Sequence, residues 1–236
     1  MTRLPIRQLV GIPLTVATFI LLMFMGWGSV EGFLAHPVRA LTALLFVAAT
    51  PVMAVCTSGR SRGVGHEPDV PWFFPALVFH SLFTCLAMPW MDARGLWTLP
   101  GGDPLRWTGL ALFAAGVALR MAAMLALGRR FASGVALQQD HALRTDGLYG
   151  VVRHPSYVGI FLMDIGLAGV FRSAVALAIL PLVFAMFAHR MRIEERFMLE
   201  RFGDAYRAYM ARVPALLPRP GRRGADAGAD APRRAA

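Results

Sequence analysis

The sequence predicts an all-α helical bundle that crosses a membrane, and three observations carry that expectation. Hydrophobic residues make up 56% of the 236 positions and charged residues only 16%, more apolar material than a soluble domain of this size carries. The apolar residues fall in uncharged runs of about 20, the length that crosses a hydrocarbon core of roughly 30 Å at about 1.5 Å rise per residue. The 24 basic residues, all arginine, gather between and after those runs and do not form one basic face. The net charge of +10 therefore points to anionic lipid head groups, and nucleic acid is not expected as a partner.

The elements follow in order. No charge interrupts Gln8 to Val30, which reads as a first span. Arg3 and Arg7 before it have the look of a signal peptide. The run is too long for one, however, and no small-residue cleavage site follows, so an uncleaved anchor is expected. Ala40 to Gly59 and Val70 to Met91 give the second and third spans, with Pro51, Pro75 and Pro89 tolerated as they are in lipid. Trp107 to Gly128 is a fourth, interrupted only by Arg120. Ser156 to Phe171 and Ser173 to Ala188 are shorter and hinge at Arg172, which predicts a tight helical hairpin and about six helical segments in all. After Ala188, charged residues alternate with Phe197, Leu199, Phe202, Tyr206 and Tyr209, predicting amphipathic helices broken at Gly203. The run from Arg219 cannot bury a core and is expected to be disordered. The chain thus divides into N-terminal transmembrane helices at 1–106, a core at 107–218 and a tail at 219–236.

Orientation follows from the arginines. With the N-terminus inside, nineteen lie on the cytoplasmic side, against Arg39, Arg94, Arg106 and Arg172 outside and Arg120 within the membrane, so both termini are expected in the cytoplasm. The absence of Lys and Asn suggests a GC-rich bacterial genome, and hence the inner membrane.

Residues capable of chemistry gather in two places. A polar loop from Arg129 to Arg153 leads into His154-Pro155-Ser156-Tyr157, and Arg190-Met-Arg192-Ile-Glu194-Glu195 follows the hairpin. Each has an ordinary reading, the first as a loop between spans and the second as an i,i+4 ion pair worth about 0.3–0.5 kcal/mol. The hairpin returns the chain to one face, so both clusters converge there. Cys56 and Cys85 lie singly in apolar runs and read as buried structural thiols, with no spacing for a metal or a disulfide framework. Arg120 and Asp164 are costly in lipid and are expected to face the bundle interior, paired with each other or functional. His80, alone on an apolar span, reads as a satisfied core histidine.

Five motifs in order, Leu143 to Tyr149, Arg153-His154-Pro155-Ser156-Tyr157-Val158-Gly159, Glu194-Glu195, Phe202-Gly203-Asp204-Ala205-Tyr206, and Val213-Pro214 with Leu217-Pro218, resemble the isoprenylcysteine carboxyl methyltransferase family. That family sits in a wider group of membrane methyltransferases that includes the phospholipid methyltransferases. The likeness runs from about Gly128 to Pro218. It implies an S-adenosylmethionine-dependent enzyme with a cytoplasmic cofactor pocket and a lipophilic or small acceptor entering from the bilayer. On this resemblance Gln138, His141, Ala142, Leu143, Arg144, Tyr149, His154, Pro155, Ser156, Tyr157 and Glu194 line the cofactor pocket. Glu194 corresponds to the family's cofactor-binding glutamate and Arg190 to the arginine that meets the substrate near the transferred methyl, making these two the expected catalytic residues.

Chemistry is compatible with these roles. A carboxylate acceptor is already ionised at pH 7, so it needs an orienting cation and no base, whereas an amine would first have to lose a proton. This favours an acid or thiol-derived acceptor, and the resemblance makes carboxyl methylation of the isoprenylcysteine type the leading expectation. The rivals are a phospholipid or thiol methyltransferase, an NADPH-dependent reductase of the sterol type, and a non-catalytic lipid-binding or transport protein with Arg120 and Asp164 on its pathway.

Overall fold

The structure is a computed structural model that describes residues 6–57, 71–127 and 143–218. The helices are α1 (Ile6–Trp27), α2 (Val30–Leu34), α3 (Pro37–Thr57), α4 (Phe73–Leu82), a π turn (Phe83–Ala87), α5 (Met88–Ala93), α6 (Gly102–Leu127), α7 (Leu148–Val151), α8 (Pro155–Val170) and α9 (Ala174–Arg212). The described residues contain no strand, only an isolated bridge between Thr98 and Ser173. Among the described residues, three helical runs are long and apolar enough to cross a membrane, Phe73–Ala93, Gly102–Leu127 and Ala174–Arg212. Gly11–Trp27, Pro37–Met53 and Pro155–Val170 are shorter apolar helices, so the expected membrane bundle of about six segments is what the chain adopts. Phe74, Phe79 and Leu182 are all more than 70% exposed, an outward apolar surface that suits hydrocarbon and not water.

Local chemistry sets the boundaries. Pro37 and Pro155 open α3 and α8 at the position where a missing N–H leaves nothing unpaired. Ser173 caps α9, its hydroxyl accepting from the Ala176 amide at 3.1 Å. The α8–α9 turn at Phe171–Ser173 is as tight as the sequence implies.

Two features differ from expectation. The second arm of the hairpin does not stop at Ala188 but continues to Phe202, because the charged stretch from His189 is built from good helix formers and contains no Gly or Pro. The expected break comes at Gly203, where φ is +51° and ψ −124°, and a second helical stretch runs on from the kink to Arg212. Second, the closest packing of α8 is against α6 and not against its hairpin partner α9.

Glycines make that contact. Gly109 and Gly116 on α6 face Gly159 and Gly166 on α8. A Cβ on Gly116 would lie 2.6 Å from the Gly159 carbonyl oxygen, and one on Gly166 would lie 2.4 Å from the Phe113 nitrogen. The two backbones touch because no side chain intervenes. In lipid, where apolar helices gain nothing by leaving their surroundings, close packing of this kind is what drives association. Around it Phe46 stacks on Phe113 at 5.1 Å between centroids, and Phe33 meets Phe24 at 5.3 Å and Phe171 at 6.3 Å.

One end of the bundle is held by charge. Asp92, with no exposed side-chain surface, accepts from Arg106 at 2.7 and 2.9 Å and from Arg172 at 3.1 and 3.2 Å. Arg39 lies 3.8 Å over the Trp27 ring and donates to the carbonyls of Phe33 and Gly32, both at 2.9 Å. Three of the four arginines expected outside the membrane are thus structural.

Two measurements check this account. Gly166→Ala forces backbone atoms apart and should lower stability in detergent by about 1–3 kcal/mol, while Gly11→Ala, which meets nothing within 4 Å, should be neutral or slightly stabilising. Asp92→Ala leaves two arginines without their carboxylate and should lower stability by about 3–5 kcal/mol, read as a fall in the thermal midpoint.

Candidate active site

At the opposite end, the His154-Pro155 turn is fixed by the segment that follows α9. The Arg153 and His154 amides donate to the carbonyls of Pro214 and Ala215 at 2.8 and 3.0 Å. The Arg153 guanidinium donates to the carbonyls of Met210 at 3.1 Å and Val213 at 2.5 Å, groups that the end of α9 leaves unpaired. It also meets Glu195 at 2.8–2.9 Å, and His154 Nε2 lies 2.9 Å from the same carboxylate oxygen. Glu195 stands beyond the apolar stretch of α9. Burial opposes its ionisation, but the hydrogen bonds from His154 and Arg153 outweigh burial and hold the carboxyl below its usual range.

Glu194, the next residue along the helix, faces a different set of groups. Its Oε1 accepts a short hydrogen bond from the Tyr157 hydroxyl and lies 3.3 Å from Arg190 Nε, the i,i+4 pair anticipated from spacing. Its other oxygen is 3.9 Å from His154 Nδ1. The Glu194 side chain is 21% exposed, enough for a ligand to reach it. Arg190 sits 5.2 Å over the Phe73 ring. Behind these groups Phe187 packs against Tyr157, Phe161 and Phe73 at 5.5, 5.9 and 6.0 Å, so a wall of rings continues from the ionic cluster toward the hydrocarbon zone.

The remaining residues named from sequence have other places. Ser156, buried at the start of α8, accepts from Arg120 through its hydroxyl at 2.8 Å. Pro155 is fully buried. Tyr149 donates to the Ala123 carbonyl at 3.2 Å and accepts from the Tyr209 hydroxyl on its own carbonyl at 2.6 Å, and burial pushes its phenol well above the ordinary range. Arg144 donates to the Ala126 carbonyl and pairs with Asp146 at 3.0 Å, while Leu143 packs on the cluster of Tyr206, Tyr209 and Val213. These three tie the loop to α6 and to the C-terminal arm. Gln138, His141, Ala142, the tail from Arg219 and the side chain of Cys56 lie outside the described residues. Cys85 is buried, as expected.

The structure therefore gathers His154, Tyr157, Arg190 and Glu194 into one cluster. It adds Arg153 and Glu195, which the motifs contain but for which no role was expected. It also adds Phe73 from the third span, where no motif pointed. Arg120 and Asp164 both face inward without pairing directly: Arg120 is engaged by Ser156, and Asp164 meets His80 at 3.1 Å. His80 is satisfied by a carboxylate, not simply packed.

Fold and site together define an integral membrane protein of apolar helices with His154, Tyr157, Arg190 and Glu194 clustered at one end of the bundle. Residues 108–200 match the model of the isoprenylcysteine carboxyl methyltransferase family. The fission yeast Schizosaccharomyces pombe protein-S-isoprenylcysteine O-methyltransferase is 37% identical over 114 residues, covering 47% of this chain and 48% of its own. The B form from Arabidopsis thaliana is 33% identical over 113 residues, covering 47% and 57%, and the Homo sapiens protein is 37% identical over 114 residues, covering 47% and 40%. The matches thus span about half the length of these curated relatives. A solved structure, that of a eukaryotic intramembrane Ras methyltransferase, isoprenylcysteine carboxyl methyltransferase, shares the fold. Its TM-score is 0.57 at 23% identity, over 86% of this chain and 74% of that one.

If Arg153 and Glu195 are the scaffold and Glu194 faces the ligand, substitutions should separate the two. Arg153→Ala should cost about 3–5 kcal/mol of stability by stranding Glu195 and the carbonyls at the end of α9, whereas Glu194→Gln should leave the unfolding midpoint nearly unchanged.

Proposed function

We propose that the chain is an integral membrane methyltransferase that moves a methyl group from S-adenosylmethionine to the carboxylate of a lipophilic acceptor. The observation that carries this reading is the cluster of Arg190, Glu194 and Tyr157, an anion and a cation side by side where the ring wall begins. The family of residues 108–200 supports the same class.

The residues present suit such a donor, which carries an ammonium and a sulfonium cation. Glu194 offers a partly exposed carboxylate and Tyr157 and His154 offer ring faces, the surroundings a compact cation takes in a pocket of low polarity. In the proposal Leu143, Arg144, Tyr149, Pro155 and Ser156 complete the pocket, with Gln138, His141 and Ala142 from the adjoining loop. When bound, the donor supplies an electrophilic methyl group.

The chain's own residues then position and stabilise. Arg190 orients the acceptor carboxylate, which is ionised at pH 7 and needs no base. Tyr157 and Arg190 hold the Glu194 carboxylate by hydrogen bond and ion pair, so it is set in place before a ligand arrives. The surrounding rings keep water away and so strengthen each of these interactions. In this reading 107–218 is the catalytic core, the site end faces the cytoplasm with both termini, and the membrane is a bacterial inner membrane whose lipids surround the acceptor's path.

Calorimetry on the purified full chain tests the reading. S-adenosylmethionine and its demethylated product should bind saturably and NADPH weakly. Glu194→Gln should weaken donor binding at least about tenfold, while Arg190→Ala should keep most donor affinity and slow transfer about a hundredfold. Preference for NADPH, or no donor binding by folded protein, would sink it.

A further inference from the structure

Away from that cluster, a small cleft of about 10 Å³, room for one water-sized group such as a hydroxyl, lies between α4 with its π turn, α8 and α9. Its lining is apolar except for His80, Thr84 and Asp164. The Thr84 hydroxyl is taken by the carbonyls of His80 and Ser81 at 3.0 and 3.2 Å. His80 Nε2 is 3.1 Å from Asp164 Oδ1. The second carboxylate oxygen, Oδ2, is buried and has no hydrogen-bond partner among the described residues. Such an oxygen at membrane depth costs free energy until a donor reaches it, and a cleft serving only hydrocarbon would gain nothing by keeping it. The π turn at Phe83–Ala87 forms part of the same lining, and irregular turns of this kind are frequent at functional positions.

The cleft is in register with the ionic cluster. On α8, Tyr157, Phe161 and Asp164 follow one another at helical spacing. On α9, Val183, Phe187 and Arg190 do so, and on α4 Phe73 and His80 are seven apart. Val183, Asp164 and His80 line the cleft, while Tyr157, Arg190 and Phe73 belong to the site. Seven residues of helix separate Asp164 from Tyr157, roughly 10 Å. Phe161 and Phe187, in contact at 5.9 Å, bridge the interval.

We infer that this cleft receives a hydrogen-bond donor, a hydroxyl or an amide N–H, carried partway along the apolar chain of the acceptor whose carboxylate meets Arg190. The inference rests on the methyltransferase reading and narrows it: the acceptor is an amphiphile with a second polar group roughly 10 Å from the methylated end. A tail that is hydrocarbon throughout leaves Oδ2 unanswered and is the poorer ligand.

Three octadecanoates that differ only at mid-chain, one unsubstituted, one hydroxylated and one bearing a ketone, make the test when their binding to the full chain in lipid nanodiscs is measured by calorimetry. The hydroxylated acid should bind at least about tenfold more tightly than the other two, because only it can donate to Oδ2. Asp164→Asn, which puts an amide donor at nearly the same place, should bring the ketone level with the hydroxyl. Equal binding of hydroxyl and ketone by the wild-type protein overturns the inference whether or not the variant folds. So does a preference that survives Asp164→Asn, or no binding of any of the three. Methyl transfer to the same acids, followed with labelled donor, separates the two readings. Transfer without hydroxyl preference sinks the cleft alone, and hydroxyl preference with neither transfer nor donor binding sinks the methyltransferase and leaves the cleft standing.

Discussion

Backbone contact between α6 and α8 is the constraint on which the rest of the structure depends. Four glycines let the two helices touch along their middle, and two arginines of α6 fasten the ends. Arg106 donates to the Val170 carbonyl at 2.5 Å and Arg120 to the Ser156 hydroxyl at 2.8 Å. Arg106 and Arg120 are fourteen residues apart, and so are Ser156 and Val170. An antiparallel pair with equal spans on both helices has one register in which both bonds form and the glycines also meet. That register fixes the first turn of α8, and with it His154 and Tyr157, relative to everything else. It also gives Arg120 a use that offsets the cost of its charge at membrane depth.

Neighbouring carboxylates are given different work by rotation about one helix. Glu195 is enclosed by Arg153 and His154, and with the segment at Val213 to Ala215 forms a rigid clasp. Glu194, about 100° around the helix, is left partly exposed with a hydroxyl and a guanidinium beside it. His154 connects the two, with one ring nitrogen toward each carboxylate. The surface around Glu194 is thus held from behind by the contacts of Glu195 with Arg153 and His154.

Much of this was legible in the sequence because it is local. Uncharged runs gave the spans, Pro155 marked the start of α8, and the four-residue spacing of Arg190 and Glu194 gave their pairing. What was not legible depends on how helices are rotated against one another. Asp164 was a candidate partner for Arg120 because both are charges in lipid. It sits two turns deeper along α8 than Ser156 and meets α4 instead, where His80 answers it. The preference of α8 for α6 over its own hairpin partner has a trace in the sevenfold spacing of the glycines, but nothing in that spacing names the partner helix. Phe73 reaches the site only because α4 runs beside α9, a tertiary fact with no motif attached.

The bonds from Arg153 and His154 to Pro214 and Ala215 have a consequence for the order of assembly. The ribosome makes the turn that carries His154 about sixty residues before it makes the segment that holds it. α8 and the apolar part of α9 can therefore enter the bilayer and pack on α6 while the clasp is still lacking its last strip of backbone. A chain interrupted before Val213 would therefore lack the carbonyls that hold the Arg153 and His154 amides.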